Sequence, residues 1–492
     1  MKKNRLFRFL IYKIKGDFEL KDFFVGFENL ISNLNDVLYG YILIILLVAG
    51  GLYFTLSTKF AQFRLFGAQI KAVTEKPSKK KGVSSFQALM VSTASRVGTG
   101  NIVGVSTALC LGGYGSVFWM WVIALIGGAS ALIESTLAQI FKKKGKDGNY
   151  YGGPAYYIES GLKCKKLAVL FSVLLIISYG FGFNMLASYN LQSTFSVYGF
   201  YNQTKTPYII GIVLALLVGY CLVGGGGRIV KITGVLVPFM GVIYVVAAVF
   251  ICIKNANMLS GVLQKIFSDA FDLKAVFGGF SGSCVMYGIK RGLYSNEAGV
   301  GSAPNASASA VVEHPVSQGL VQILSVFIDT LLICSATAFM CLCSGVEPTE
   351  ALSGAPYVQA ALQNVFGIAG PVFITVAMIL FAFTTLLGNL FYVDKCLFYL
   401  LKRVPGKKFK AVYHFVASFV VLLGSVLSAD LLWSIADITM GFMALINMPV
   451  IIILGKYAKR ALKDFETKYK NGEELSFCAK DIGLEDKVDC WK

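Results

Sequence analysis

The chain has 492 residues, 56% of them apolar and only 15% charged, against about 45–50% and about 25% in soluble globular proteins. With apolar runs of about 20 residues recurring along its whole length, this balance excludes a string of water-soluble domains and makes the bilayer the solvent. The net charge of +18 lies almost wholly in the loops between those runs, which is cytoplasmic loop bias and not the footprint of a nucleic-acid binder.

In chain order, residues 1–36 form a basic amphipathic segment without the apolar core and cleavage site of a removable secretory signal. Eleven apolar runs follow, each read as a membrane-spanning helix: 37–57, 84–110, 114–141, 167–192, 207–223, 229–253, 273–310, 316–344, 367–400, 411–428 and 431–454. A polar tail occupies 456–492, and no soluble domain fits between the spans. The loops after the first and third spans carry seven Lys or Arg each and the loop entered at Lys395 carries six; the loops between spans two and three and at 345–366 carry none. This alternation predicts a multi-pass plasma-membrane protein with its basic loops and C-terminus in the cytoplasm. Eleven spans then leave the N-terminus outside despite Lys2, Lys3, Arg5, Arg8, Lys13 and Lys15, the one place where charge and span count disagree.

Two spans are interrupted, the second at Val97-Gly98-Thr99-Gly100-Asn101 and the seventh at its opening, Phe277-Gly278-Gly279-Phe280-Ser281-Gly282-Ser283. Poor helix formers at membrane depth are tolerated where the backbone faces protein or a water-filled cavity. The two spans are five apart, so 84–253 and 273–454 read as inverted halves of one transporter domain, 37–455, each starting with a discontinuous helix. Such a matched pair points to the midplane site of a secondary transporter; close packing through small residues does not explain the matching.

An anionic substrate group suits the free N–H groups where the second half of span two begins, at Thr99 and Gly100. A cationic one suits carbonyls freed in span seven, assigned to Phe280, Ser281, Gly282 and Ser283. Asn101 could orient the anionic group or a cation, or cap the half-helix. Thr384 and Thr385 on their own read as helix hydroxyls bonded back to the i−4 carbonyl. Asn389, on the same helix face as Thr385, could reach the substrate or a neighbouring helix. Arg96, Glu134, Asp329 and Asp437 are intramembrane charges and functional candidates, with a buried-pair role preferred for Glu134 and Asp437. Lys290, Arg291 and Glu297 read as lying toward the cytoplasmic end of span seven, in an inner gate or a charge network. Eleven cysteines without a CxxC and two histidines, His314 and His414, supply no zinc site, disulfide framework or nucleophile–base pair, so an enzyme is not expected.

The runs Ser84-Ser85-Phe86-Gln87-Ala88-Leu89, Arg96 to Val105, Phe118-Trp119-Met120-Trp121, Tyr151-Gly152-Gly153-Pro154-Ala155-Tyr156-Tyr157-Ile158-Glu159, Gly288 to Gly292, Ser295-Asn296-Glu297-Ala298-Gly299, Ala303-Pro304-Asn305, His314-Pro315, Gln318-Gly319 and Asp329-Thr330 carry a resemblance. Together they resemble the alanine or glycine:cation symporter family, the sodium:alanine symporters. The resemblance implies an all-α, leucine-transporter-like fold of ten helices in a five-plus-five inverted repeat after one extra N-terminal helix. It also implies sodium-driven import of small neutral amino acids, alanine or glycine by default, with serine or glutamine open. An amino-acid sensor without transport is the alternative. For sodium, the co-transported ion, it implies a site of Thr384 and Thr385 hydroxyls with the carbonyls of Ala94, Val97 and Phe381. The chain departs from the family in span four, where Ala187-Ser188-Tyr189 replaces a Gln-Ala-Asn pattern. Its polar pair, thought to face the substrate, is thereby lost.

Overall fold

The computed structural model describes residues 33–35, 37–75, 82–272, 283–403, 405–484 and 488–491. Among these, nine helices are long and apolar enough to cross a membrane, from Asn33–Ser57 to Ala429–Asn471. The two remaining spans are the interrupted ones. The protein is thus an all-helical membrane protein, and its one sheet among the described residues is a two-stranded hairpin, Lys143–Lys144 with Tyr150–Tyr151.

The labels used below are α1 (Leu43–Ser57), α2 (Ser85–Arg96), α3 (Val105–Gly112), α4 (Gly115–Ile140), α5 (Lys165–Ile177), α6 (Phe183–Ser193), α7 (Thr206–Val223), α8 (Gly225–Lys254), α9 (Cys284–Asn296), α10 (Pro304–Ser307), α11 (Pro315–Val326), α12 (Ser335–Leu342), α13 (Ala369–Leu401), α14 (Lys407–Val426) and α15 (Ala429–Asn471). Burial separates a centre from a rim. The apolar windows of α4 and α13 are 67% buried within the protein and that of α8 only 28%, so α4 and α13 line the interior while α8 faces lipid. Lipid tails are as apolar as Leu, so helix association here rests on close packing, and small residues mark the contacts. Added Cβ atoms at Gly288 and Gly292 of α9 would lie 2.6 Å from Ser116 O and 2.7 Å from Ile123 of α4, and one at Gly388 of α13 would lie 2.6 Å from the Ser95 nitrogen.

The broken spans have local causes. Helix α2 starts on a reciprocal cap, Gln87 N donating to Ser84 Oγ (3.1 Å) and Ser84 N to Gln87 Oε1 (3.0 Å). It ends at Val97, whose ψ of 88° turns the chain out of the helix, and the chain restarts through a wide π-turn, Gly100–Gly104, into α3. Helix α9 starts on Ser283, whose Oγ accepts from Met286 N (3.3 Å), and ends on Glu297 in the left-handed region (φ 54°), followed by Gly299 (φ 82°) and Gly301 (φ 89°). Only short α10 intervenes before α11.

The expected second break, 277–283, lies outside the described residues except for Ser283, which caps α9; within the described part of span seven the chain unwinds at 297–301. Phe280, Ser281 and Gly282 lie outside the described residues. Two further π-turns, Ser178–Gly182 between α5 and α6 and Phe327–Cys334 between α11 and α12, lie against the breaks, and such wide turns are frequent at functional sites.

Candidate functional site

The two breaks meet at the centre of the bundle. Asn101 Nδ2 donates to Ser295 Oγ (3.0 Å) and Asp329 Oδ1 (2.7 Å), joining the restart of span two to the end of α9 and the π-turn of span eight. Its carbonyl oxygen accepts from Gly98 N (2.8 Å), so the side chain's one strong acceptor is taken up by the backbone of the break. Thr99 Oγ1 accepts from Asn190 Nδ2 of α6 (3.1 Å). Gly100 lies against the Tyr294 ring, where a Cβ would come within 2.6 Å. The Tyr294 ring stacks on Phe183 (4.6 Å) and meets Trp433 (4.9 Å), so a cluster of three aromatic rings lies beside Gly100.

The two threonines of α13 behave differently. Thr384 Oγ1 bonds back to Leu380 O (2.9 Å) and Phe381 O (3.1 Å) and touches Met240 Sδ (3.6 Å), as a helix hydroxyl does. Thr385 Oγ1 is buried without a hydrogen-bond partner among the described residues. It points at the first break, where a Cβ on Gly98 would lie 2.0 Å from it. A buried hydroxyl left unsatisfied is costly, and its two lone pairs aimed at the carbonyl end of α2 suit a hard cation held by oxygens. Ala94 and Val97 belong to that end of α2, and Phe381 lies one turn before Thr385. Asn389, one turn further on, is engaged on both sides: its Oδ1 accepts from Ser95 Oγ (2.7 Å) and its Nδ2 donates to Asn184 Oδ1 (2.9 Å).

Buried charge surrounds the breaks. Arg96 Nη1 donates to Gln322 Oε1 (2.8 Å). Glu134 accepts from Gly299 N (3.3 Å) and Asn447 Nδ2 (2.8 Å). Glu297 contacts Ser95 Oγ (3.0 Å) and Ser302 Oγ (2.6 Å), and Asp329 also accepts from Ser295 and Thr330. Lys290 and Arg291 lie before the break of span seven, on the Gly113 side, and both pair with Asp437 (2.9 and 3.1 Å). Arg291 also covers Trp433 at 4.0 Å. Both thus belong to a buried charge network centred on Asp437.

At the opposite end, a cavity of about 470 Å³ runs between Gln87 of α2, Val230 of α8, Phe391 and Lys395 of α13, and Tyr413 of α14. Ala187 is fully buried and Tyr189 half-buried; the polar contacts from span four to the site come from Asn184 and Asn190. Asn190 was missed by motif reading, although it lies one turn from Leu186 on a helix already suspected of facing substrate. Ser95 and Ser295, each next to a break, were missed for want of any spacing signal.

The model of the sodium:alanine symporter family matches residues 24–479. The chain is 40% identical over 467 residues to the amino-acid carrier protein AlsT of Bacillus subtilis, covering 95% of this chain and 98% of that one. It is 39% identical over 467 residues to the probable sodium/glutamine symporter GlnT of the same organism, covering 94% and 96%. To the putative sodium/proton-dependent alanine carrier protein YrbD, also from Bacillus subtilis, it is 39% identical over 482 residues, covering 94% and 97%.

Proposed function

Because this chain belongs to the sodium:alanine symporter family, a family of sodium-coupled amino-acid carriers and not of enzymes, we propose that it imports alanine or glycine with sodium by alternating access around the two breaks. Serine and glutamine are the next substrates to test, since GlnT is named for glutamine. The substrate carboxylate docks on the backbone of Thr99 and Gly100. The ammonium meets carbonyls of the unwound segment 297–301, the unwound part of span seven among the described residues. Sodium sits between Thr385 Oγ1 and the carbonyls of Ala94, Val97 and Phe381, with Thr384 turning toward it only by giving up its bond to Leu380. The fold is a five-plus-five inverted repeat after one extra helix, and the end bearing Ser84 and the C-terminal tail faces the cytoplasm.

The observation that carries this reading is the unpartnered Thr385 hydroxyl aimed at Gly98. In the conformation described, the Gly113 end is closed by the three rings and the Asp437 pairs, while the cavity opens from the other end. That combination fits an inward-facing state. Purified protein in liposomes should accumulate radiolabelled alanine when a sodium gradient is imposed and not when potassium replaces sodium. Binding of alanine without accumulation would instead establish a sensor.

A further inference from the structure

Three ammonium groups at the Ser84 end of the bundle lack an anion. Lys231 of α8, Lys395 of α13 and Lys410 of α14 line the cavity of about 470 Å³, and among the described residues none of them makes an ion pair or a hydrogen bond. An ammonium group only donates, to as many as three acceptors. Lys395 has instead the faces of Tyr151 (4.5 Å) and Phe391 (4.8 Å), which attract a cation and give its N–H groups no oxygen. Two carboxyl groups share the lining and both are engaged. Asp147 accepts from Tyr151 Oη (2.7 Å) and Asn149 Nδ2 (2.8 Å) of its own hairpin, and Asp394 faces Tyr413, Lys395 and Lys410. Three lysines against two aspartates, with His414 neutral, leave one positive charge in excess. Arg228 adds another at the rim, bonded to the neutral Tyr220 carbonyl (2.6 Å) and lying on the Tyr220 ring (4.7 Å).

This cavity adjoins the membrane. Val223 and His414 belong to its wall and also to the wall of a second, apolar cavity of about 480 Å³ between α7 and α14. The two helices touch at Gly219 and Ser418, where an added Cβ would lie 3.0 Å from Ser418 Oγ. Beside that contact Leu216 of α7 and Phe415 of α14 stand 70% and 71% exposed. Small residues along the contact and tall ones beside it make a furrow. Its α7 wall runs from Val223 back to Ile212, about 16 Å at 1.5 Å per residue, which is the depth of one leaflet of a hydrocarbon core about 30 Å thick.

We propose that cavity and furrow together bind one anionic phospholipid of the cytoplasmic leaflet, its phosphate among Lys231, Lys395 and Lys410 and an acyl chain between α7 and α14. The inference shares with the carrier reading only the placement of the Ser84 end in the cytoplasm. A phosphodiester carries one negative charge and cancels the excess of one in the cavity, whereas a zwitterionic head group brings a cation of its own. Gly225 to Gly227, in the same lining, begin the 30-residue helix α8 and add its positive end. Basic pockets between helices on the cytoplasmic side are where anionic head groups dock. The three lysines come from three helices, so the bound phosphate ties α8, α13 and α14 together at the cavity.

Full-length protein, purified in a neutral detergent and freed of lipid, is titrated with dioleoyl phosphatidylglycerol while its native mass spectrum and thermal midpoint are followed. Saturable binding of one phosphatidylglycerol with a raised midpoint supports the site, and equal effects of dioleoyl phosphatidylcholine overturn it. Lys231 and Lys410 are exposed, so Lys231→Gln with Lys410→Gln should keep the lipid-free midpoint. The double variant should bind phosphatidylglycerol about thirtyfold more weakly, roughly fivefold for each lysine. Undiminished binding by a variant with that midpoint overturns the proposal, and the comparison of the two lipids on the wild type decides it whether or not the variant folds. Glycerol phosphate and dihexanoyl phosphatidylglycerol carry the charge without a long chain. Binding of either as tight as that of the dioleoyl lipid would mean a phosphate site alone and refute the furrow. None of these readings needs transport, so failure to accumulate alanine would count against the carrier reading and leave the lipid site to be judged by its own titration.

Discussion

At the scale of single residues, the contrast between Thr384 and Thr385 makes the sodium assignment quantitative. Both are hydroxyls on α13, yet one already has its hydrogen bonds and the other has none. Thr385→Val keeps the volume and removes the oxygen, which should raise the sodium concentration for half-maximal uptake by roughly five- to 150-fold, from about 1–3 kcal/mol for one lost ligand. Thr384→Val should raise it by much less. Equal shifts would mean that Thr384 releases Leu380 to bind the ion. Asn190, which holds Thr99 Oγ1, sits on the helix where the Gln-Ala-Asn pattern is missing. Asn190→Leu should therefore lower apparent alanine affinity about tenfold, as an unpartnered buried hydroxyl would, read by competition in the same assay. The double change Ala187→Gln with Tyr189→Asn should mainly reduce the yield of folded protein, because it places a long polar side chain at a fully buried position (Ala187, 0% exposed).

At the scale of elements, the site depends on helix ends being held. Helix α13 crosses α2 so closely that a Cβ at Gly388 would meet the Ser95 backbone at 2.6 Å, and backbone cannot yield as a side chain can. Gly388→Ala should cost about 1–3 kcal/mol by overpacking, seen as a lower thermal midpoint of the purified protein. The start of α11 is capped by His314, whose Nδ1 accepts from Val316 N (3.2 Å) while Nε2 faces Asp464 (3.1 Å), with Phe465 and Phe477 around the ring. Burial pushes this imidazole down to about 4, against the pull of Asp464 upward. A pKa lowered in the folded state means that the unfolded chain binds the extra proton between pH 4 and about 6.5. Stability contributed by this group is complete above about 6.5 and is lost as pH falls toward 4. His314→Asn retains a capping acceptor and does not titrate, so its thermal midpoint should fall less over that window than that of the wild type. Parallel falls would place the acid sensitivity elsewhere.

For the whole molecule, the two ends of the bundle are built differently. Asp437 holds both Lys290 and Arg291 at one end, and the cavity opens at the other. If these pairs close the Gly113 end, Asp437→Asn weakens that closure and shifts the population toward the opposite state, in proportion to the differential interaction lost. A Gly104→Cys reporter lies beneath Arg291 and Trp433, where a Cβ would make ordinary contacts of 3.8 Å. Its alkylation by a membrane-impermeant thiol reagent added from the Gly113 side should quicken about tenfold with Asp437→Asn, for a change of about 1.4 kcal/mol. An unchanged labelling rate would remove the pairs from the gating mechanism and leave them as packing.

Composition and periodicity by themselves determined the membrane class and the break at 97–101, because lipid requires long apolar runs and makes interruptions conspicuous, while the family was legible in the motifs. The expected break at 277–283 lies outside the described residues except for Ser283, and the unwinding at 297–301 was not read from sequence, since its left-handed turns rest on one glutamate and two glycines. Only the tertiary structure decided that Asn101 spends its carbonyl on Gly98, that Thr384 is satisfied and Thr385 is not, and that Asn184, Asn190 and Ser95 bridge the breaks. The physical reason is that a polar side chain in a helix declares its presence but not its partner. Partnership is fixed by which helices pack face to face, over separations such as the 294 residues between Ser95 and Asn389 that no local pattern spans.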